Sequence, residues 1–169
     1  MMNILKNRII KGVVARHIGQ EPFKEIEVAG LELRSLIKKK FGRSLFIREV
    51  DTGSCGACES EIISANNPIY DLQRFGISFT ASPRHADALL VTGPVSKNML
   101  TALKKTYAAM PEPKFVITCG DCALDGGIFK GSYYVEGAVK DILPVELHIA
   151  GCPPSPLHIV KSLSAFLKR

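Results

Sequence analysis

The sequence predicts an α/β domain built on a parallel sheet with helices on both faces. Two observations carry this. Residues 86–92, A-D-A-L-L-V-T, form a short and almost continuous apolar run closed by Gly93-Pro94, as in a strand buried on both sides. Runs of this kind alternate along the chain with stretches of helical periodicity, the pattern of a sheet wound with crossover helices.

The elements follow in order. Apolar residues at Ile4, Leu5, Ile9, Ile10, Val13, Val14 and Ile18 predict a helix over residues 4–18, with Lys6, Arg8, Lys11 and Arg16 interleaved. Residues 19–22 break that pattern. A second helix is expected over about 25–41, with Gly42 as its C-cap and Lys38, Lys39 and Lys40 in the last turn, where cations suit the helix dipole. Strands are expected at 44–50, 77–80, 86–92, 114–118 and 145–150. Helices are expected at 59–65, from Ser96 as N-cap to about Met110, over 135–143, and from Ser155-Pro156 to about Leu167. The chain therefore divides into a basic helical segment, 1–43, and an α/β domain, 44–169.

A chain of 169 residues with 46% apolar content suits one globular domain beside such a segment. No apolar run approaches the roughly 20 residues of a membrane span, and basic residues interrupt the N-terminal apolar ones, which predicts a cytoplasmic chain. Of 22 basic and 16 acidic residues, 11 and 5 fall within residues 1–50, so the excess positive charge is concentrated there. It marks a surface for an acidic partner or an anionic lipid. Nucleic-acid binding is not expected, since no aromatic residues are interleaved with the charge.

Five cysteines, an odd number, favour metal or redox chemistry over a disulfide framework. They fall in three stretches: D-T-G-S-C-G-A-C-E-S-E at 51–61, C-G-D-C-A-L-D-G-G at 119–127 and G-C-P-P at 151–154. Each follows a predicted strand. Ligands of open α/β sheets gather at the carboxyl ends of the strands, so the three stretches are expected at one edge. Cys55, Cys58, Cys119, Cys122 and Cys152 are the candidate ligands, for zinc or an iron–sulfur cluster. The roughly 60 residues between the two C-x-x-C pairs disfavour a zinc ribbon, and a lone thioredoxin-like dithiol leaves two loops unexplained. Glycines flank every cysteine stretch, and they let the main chain approach an anionic cofactor closely.

The segments V-D-T-G-S-C-G-A-C-E-S-E-I, Y-D-L-Q-R-F-G-I, S-P-R-H-A-D-A-L-L-V-T-G-P-V, C-A-L-D-G-G-I-F and I-A-G-C-P-P-S-P together resemble the small subunits of membrane-bound NiFe hydrogenases of the formate hydrogenlyase and energy-converting type. They also resemble the homologous 20 kDa subunit of complex I. The likeness covers roughly residues 45–165. It implies a flavodoxin-like fold and one 4Fe–4S cluster held by Cys55, Cys58, Cys122 and Cys152, with Cys119 a spare buried thiol at a strand end. Complex I subunits of this type have adjacent cysteines at the first position. The C-x-x-C spacing here is that of the hydrogenase branch. One cluster is therefore expected, without the further clusters that other hydrogenase small subunits hold in a cysteine-rich C-terminal extension.

The resemblance implies a one-electron relay, peripheral on the inner face of the cell membrane. It would run from a ferredoxin-like iron–sulfur subunit to the NiFe site of a large subunit, within a complex that includes integral membrane subunits. The alternative is a complex I-like subunit donating electrons to quinone, which a cavity beside Arg84 would favour. A zinc-stabilised assembly module is the third reading. Glu61 is a candidate for proton transfer at the large-subunit interface. Arg84 and His85 are read as interface residues, and Tyr133 and Tyr134 as packing residues. His85, His148 and His158 are weak metal candidates, since four cysteines suffice.

Overall fold

The computed structural model describes residues 21–169, together with Ile10. The helix expected over residues 4–18 lies outside the described residues, Ile10 apart. The elements run α1 (Glu21–Phe41), β1 (Leu45–Asp51), α2 (Ala57–Ala65), β2 (Ile77–Phe79), β3 (Ala88–Thr92), β4 (Val95–Ser96), α3 (Lys97–Ala109), β5 (Phe115–Cys119), α4 (Asp121–Asp125), β6 (Val135–Gly137), β7 (Leu147–Ile149) and α5 (Pro156–Leu167).

Five strands form one parallel sheet in the order β2-β1-β3-β5-β7. Counted along that sheet the order is 2-1-3-4-5, the flavodoxin-like arrangement, whose direction of winding reverses between β1 and β3. All five residues of β3 are buried. Ala88 and Leu90 join the core under α1, α2 and α5, while Leu89 and Val91 join the core under α3. A strand sandwiched in this way has no solvent face, which explains the unbroken apolar run.

Helix α1 begins four residues before the expected start, because Pro22 fits an opening helical turn. Its buried residues Ile26, Gly30, Leu33 and Ile37 recur at i, i+4, i+7 and i+11, one stripe facing the sheet and α5. Gly42 closes the helix at φ 68°, its N–H donating to the Lys38 carbonyl at 3.0 Å. At the other end of the chain, the Ser155 hydroxyl accepts from the His158 N–H and caps α5 behind Pro156.

One expected element is corrected. Residues 135–143 do not form a helix. Val135–Gly137 is a short strand, antiparallel to β4, followed by a 3₁₀ turn at Val139–Asp141. Gly137 and Pro144 bracket only six residues, too few for a stable helix, and β4 offers Val135–Gly137 backbone partners instead. The β4–β6 ribbon itself was not expected, since two-residue strands carry no periodicity.

Gly30 yields a test of the α1 packing. A Cβ there would sit 2.3 Å from the ring of Phe75, which is fully buried. Gly30→Ala gains about 1 kcal/mol of helix propensity but overpacks a site that cannot yield, at a cost of about 1–3 kcal/mol. The substitution should lower the urea midpoint of the full chain; a raised midpoint would contradict this packing.

Candidate functional site

The carboxyl ends of β1, β5 and β7 lead into the three cysteine stretches. Asp51 ends β1, and its Oδ1 accepts from the N–H groups of Gly53 and Ser54, both at 2.8 Å, folding the chain back on itself. Thr52 is fully buried and pins the loop to the end of β3, its hydroxyl donating to the carbonyls of Thr92 (2.8 Å) and Gly93 (3.0 Å). Gly93 permits this approach: a Cβ at its φ of 71° would lie 2.4 Å from the Ser54 nitrogen. The Ser54 hydroxyl then donates to Glu59 Oε2 at 2.6 Å and accepts from the Gly56 N–H. Gly56, at φ 85°, opens α2. Cys55 stands exposed before that helix and Cys58 is buried in its first turn.

The second and third stretches are stitched together. Gly120 N–H donates to the Ile149 carbonyl at 2.9 Å, Asp121 N–H to the Gly151 carbonyl at 2.9 Å, and Gly151 N–H to Asp121 Oδ1 at 2.8 Å. His148 joins the same corner, Nδ1 at 3.0 Å from the Thr118 hydroxyl and Nε2 at 3.7 Å from Asp121. Cys122 is buried on the short helix α4 and Cys152 is exposed beyond Gly151. The first stretch meets the second at Gly120, where a Cβ would lie 2.6 Å from Cys58 Sγ.

Electrostatics ties the four thiols into one group. The Cys122 thiol is pushed up to about 11, by burial first and then by Cys58, Cys152 and Cys55. Its ionisation is thus opposed by thiols from the two other stretches, which is the convergence expected of one sheet edge. Cys119, fully buried as the last residue of β5, is a free thiol within hydrogen-bonding reach of the Cys58 thiol. That hydrogen bond is the main cause holding Cys58 below the ordinary thiol value, against burial and the charges of Glu59, Asp121 and Glu61; its counterpart is a strong upward shift at Cys119. Among the described residues no three His, Cys, Asp or Glu side chains close on a point tightly enough for a single ion. A four-iron cluster takes one thiolate per iron and spreads its ligands wider than one ion does. The donor set fits such a group: four thiols from three loops, unfavourable to ionise together without cationic iron, with Gly120 leaving room beside Cys58.

Glu61 is half-buried on α2, and its charge opposes ionisation of Cys58. Tyr133 and Tyr134 correct an expectation: they are exposed, Tyr133 by 88%, and meet edge to face with ring centroids 6.2 Å apart rather than packing in a core. A cavity of about 520 Å³ does lie beside Arg84, lined also by Arg43, Phe46, Thr80, His85 and Asp87. It opens at the amino ends of the strands. Phe46 to Asp51 along β1 separates it from the cysteine edge by roughly 17 Å. The residues that sequence reasoning missed are Thr52, Gly93 and Asp121. The T-G-P following the β3 run and the aspartate between two cysteines were the available signals.

A doubly covered parallel sheet with a thiol-lined carboxyl edge defines a cofactor-carrying α/β subunit. The model of the NADH ubiquinone oxidoreductase 20 kDa subunit matches residues 55–166, and the chain belongs to that family. It is 42% identical over 131 residues to the probable membrane-bound hydrogenase subunit mbhJ of Pyrococcus furiosus, covering 78% of each chain. It is 42% identical over 124 residues to formate hydrogenlyase subunit 7 of Escherichia coli, covering 73% of this chain and 49% of that one, so it spans about half of that relative. An NADH-quinone oxidoreductase subunit of Desulfovibrio desulfuricans is 37% identical over 159 residues, 88% of this chain and 84% of the relative. A chain of the membrane-bound sulfane sulfur reductase, an archaeal respiratory membrane complex, superposes with a TM-score of 0.66 at 31% identity, covering 82% of this chain and 74% of that one. The family is one of iron–sulfur proteins, and the chain is an electron-transfer subunit of an oxidoreductase complex.

Burial, together with Glu59 and Asp51, raises the carboxyl of Glu49 above the usual glutamate range, with Arg48 opposing. A raised native value favours folding below the unfolded pKa and loses that contribution as pH rises through the native one. Glu49→Gln should therefore raise the urea midpoint of the full chain at pH 7, with the gain shrinking toward pH 4. A gain that is larger at pH 4 would contradict the crowded-carboxylate account.

Proposed function

We propose that Cys55, Cys58, Cys122 and Cys152 hold one 4Fe–4S cluster, and that the chain is the relay subunit of a membrane-bound NiFe hydrogenase complex. The single observation that carries the cluster assignment is that Cys122 feels the thiols of both other stretches, Cys55 and Cys58 on one side and Cys152 on the other. Its electron donor would be a ferredoxin-like iron–sulfur subunit and its acceptor the NiFe site of a large subunit, with integral membrane subunits in the same assembly. A peripheral place on the inner face of the membrane follows. Residues 1–43 are read as the docking segment. Among the described residues no helix is long and apolar enough to cross a membrane.

When bound, the cluster supplies a one-electron couple at the sheet edge. The chain's own residues set its surroundings. Cys58 and Cys122 are buried and limit water, while Cys55 and Cys152 are exposed, where a partner subunit could approach. The Cys119 thiol donates to Cys58, and hydrogen bonds to ligand sulfur raise a cluster's potential. Gly120 keeps the loop against Cys58 where any side chain would collide. Glu61 holds a carboxyl near Cys58, placed to accept or release a proton as the local charge changes.

The hydrogenase reading rests on the C-x-x-C spacing and on likeness to the hydrogenase and hydrogenlyase relatives. The quinone reading has the cavity beside Arg84 and the NADH-quinone oxidoreductase relative in its favour. That cavity lies at the edge remote from the thiols, which weighs against it as a site for direct oxidation of the cluster. Purification of the complex from its host decides between them: a co-purifying NiFe large subunit supports the first reading and quinone-dependent oxidation the second.

Three substitutions test the residue roles. Cys122→Ala should abolish the dithionite-reduced EPR signal and most of the bound iron. Cys119→Ala should keep the iron and lower the midpoint potential by on the order of 40 mV, the equivalent of one modest hydrogen bond of about 1 kcal/mol. Loss of iron in Cys119→Ala with retention in Cys122→Ala would reverse the ligand assignment. Glu61→Gln should slow turnover of the assembled complex about tenfold or more with the cluster intact; unchanged turnover would remove Glu61 from proton transfer.

A further inference from the structure

The cavity beside Arg84 is unused by the relay. Its walls carry unbalanced positive charge. Asp87, the only acid lining it among the described residues, is consumed: Oδ1 and Oδ2 accept from the Arg43 guanidinium at 2.6 and 2.9 Å, and Oδ2 also accepts from the Phe46 N–H at 2.9 Å. Arg43 is thereby fixed, its guanidinium 5.2 Å over the Phe46 ring. Arg84 and His85 project from the one-turn Pro83–His85 helix, both exposed, and neither has an ion-pair partner among the described residues. The Thr80 hydroxyl lines the same space. The chain enters this corner directly from the last turn of α1, whose Lys38, Lys39 and Lys40 are all exposed.

A guanidinium, an imidazole, a hydroxyl and a second guanidinium held in place are donors suited to an oxyanion, and they are poor company for a neutral ring. The open cavity of about 520 Å³ is far larger than a free phosphate needs. The flanking lysine run has no role for a lone ion, whereas a charged plane engages all of these cations at once. We propose that this cavity, with Lys38, Lys39 and Lys40 on the helix end that leads into it, seats the phosphate of an anionic phospholipid headgroup. The amino edge of the sheet then faces the membrane surface while the cysteine edge faces away from it. This deepens the reading of the chain as a peripheral subunit, by naming the surface that touches lipid.

The test is co-sedimentation of the full chain with vesicles containing about one third phosphatidylglycerol, against vesicles of phosphatidylcholine alone. Each cation near an anionic surface contributes about fivefold, so Arg84→Gln with His85→Gln should weaken binding to the anionic vesicles by about fivefold or more. Lys130→Gln with Lys140→Gln, which removes at least as much charge away from the cavity, should leave it unchanged. Equal weakening by both pairs, or wild-type binding by the Arg84/His85 variant, would overturn the site. Calorimetric binding of inorganic phosphate without vesicle binding would overturn the lipid assignment, as would binding to neither. Iron content measured in the same samples separates failure of this site from failure of the cluster reading.

Discussion

The structure depends on a backbone stitch at one edge of the sheet. Asp121 and Gly151 exchange two hydrogen bonds, one between main chains and one from the Gly151 N–H to the Asp121 carboxylate, and Gly120 donates to the end of β7. These bonds lock the loop after β5 to the loop after β7. Gly120, at φ 89°, then has the sulfur of Cys58 where another residue would have a side chain. The first loop is fixed independently, by Thr52 on the end of β3 and by Asp51 on its own amides. Removing the stitch would leave the second and third loops unconnected, each free to move relative to the first. The donor set is an edge property of the sheet rather than a feature of any single motif.

The two edges of the sheet have different chemistry. At the carboxyl edge, thiols and carboxylates crowd together: Glu59 and Asp51 oppose ionisation of Glu49, and Cys58, Cys152 and Cys55 oppose ionisation of Cys122. That accumulation of potential negative charge is unfavourable by itself, and binding of cationic iron at the proposed site would relieve it. At the amino edge, arginine, histidine and the lysines that end α1 make a positive surface whose lining carboxylate, Asp87, is already paired. The separation follows from the parallel arrangement. Every strand in the sheet points the same way, so loops of one kind collect at one end, and the polarity of the subunit is set by its topology.

Much of the fold was legible because buried parallel strands leave a signature. The run closed by Gly93-Pro94 could only be a strand covered on both faces, and each cysteine stretch sat directly behind such a run. Boundaries were less readable. Helix α1 starts earlier than its periodicity, since Pro22 is accepted in a first turn. Residues 135–143 mimic a helix in composition, but backbone pairing with a two-residue strand some 40 residues earlier decides their conformation. Among site residues, the cysteines announced themselves by spacing. Thr52 and Asp121 did not, because their roles are hydrogen bonds to chain segments distant in sequence. Cys119 looked like half of a second pair, and only its place as the last residue of β5, fully buried in the same core cluster as Cys58, shows it facing inward.

Native mass spectrometry of the full chain, purified without oxygen, weighs the bound group directly. The account predicts a mass increment of about 350 Da, that of one four-iron, four-sulfide cluster, lost when Cys152 is replaced by alanine. An increment of about 65 Da, a single zinc ion, or a 350 Da increment that survives loss of Cys152, would contradict the convergence of the three loops on one cluster.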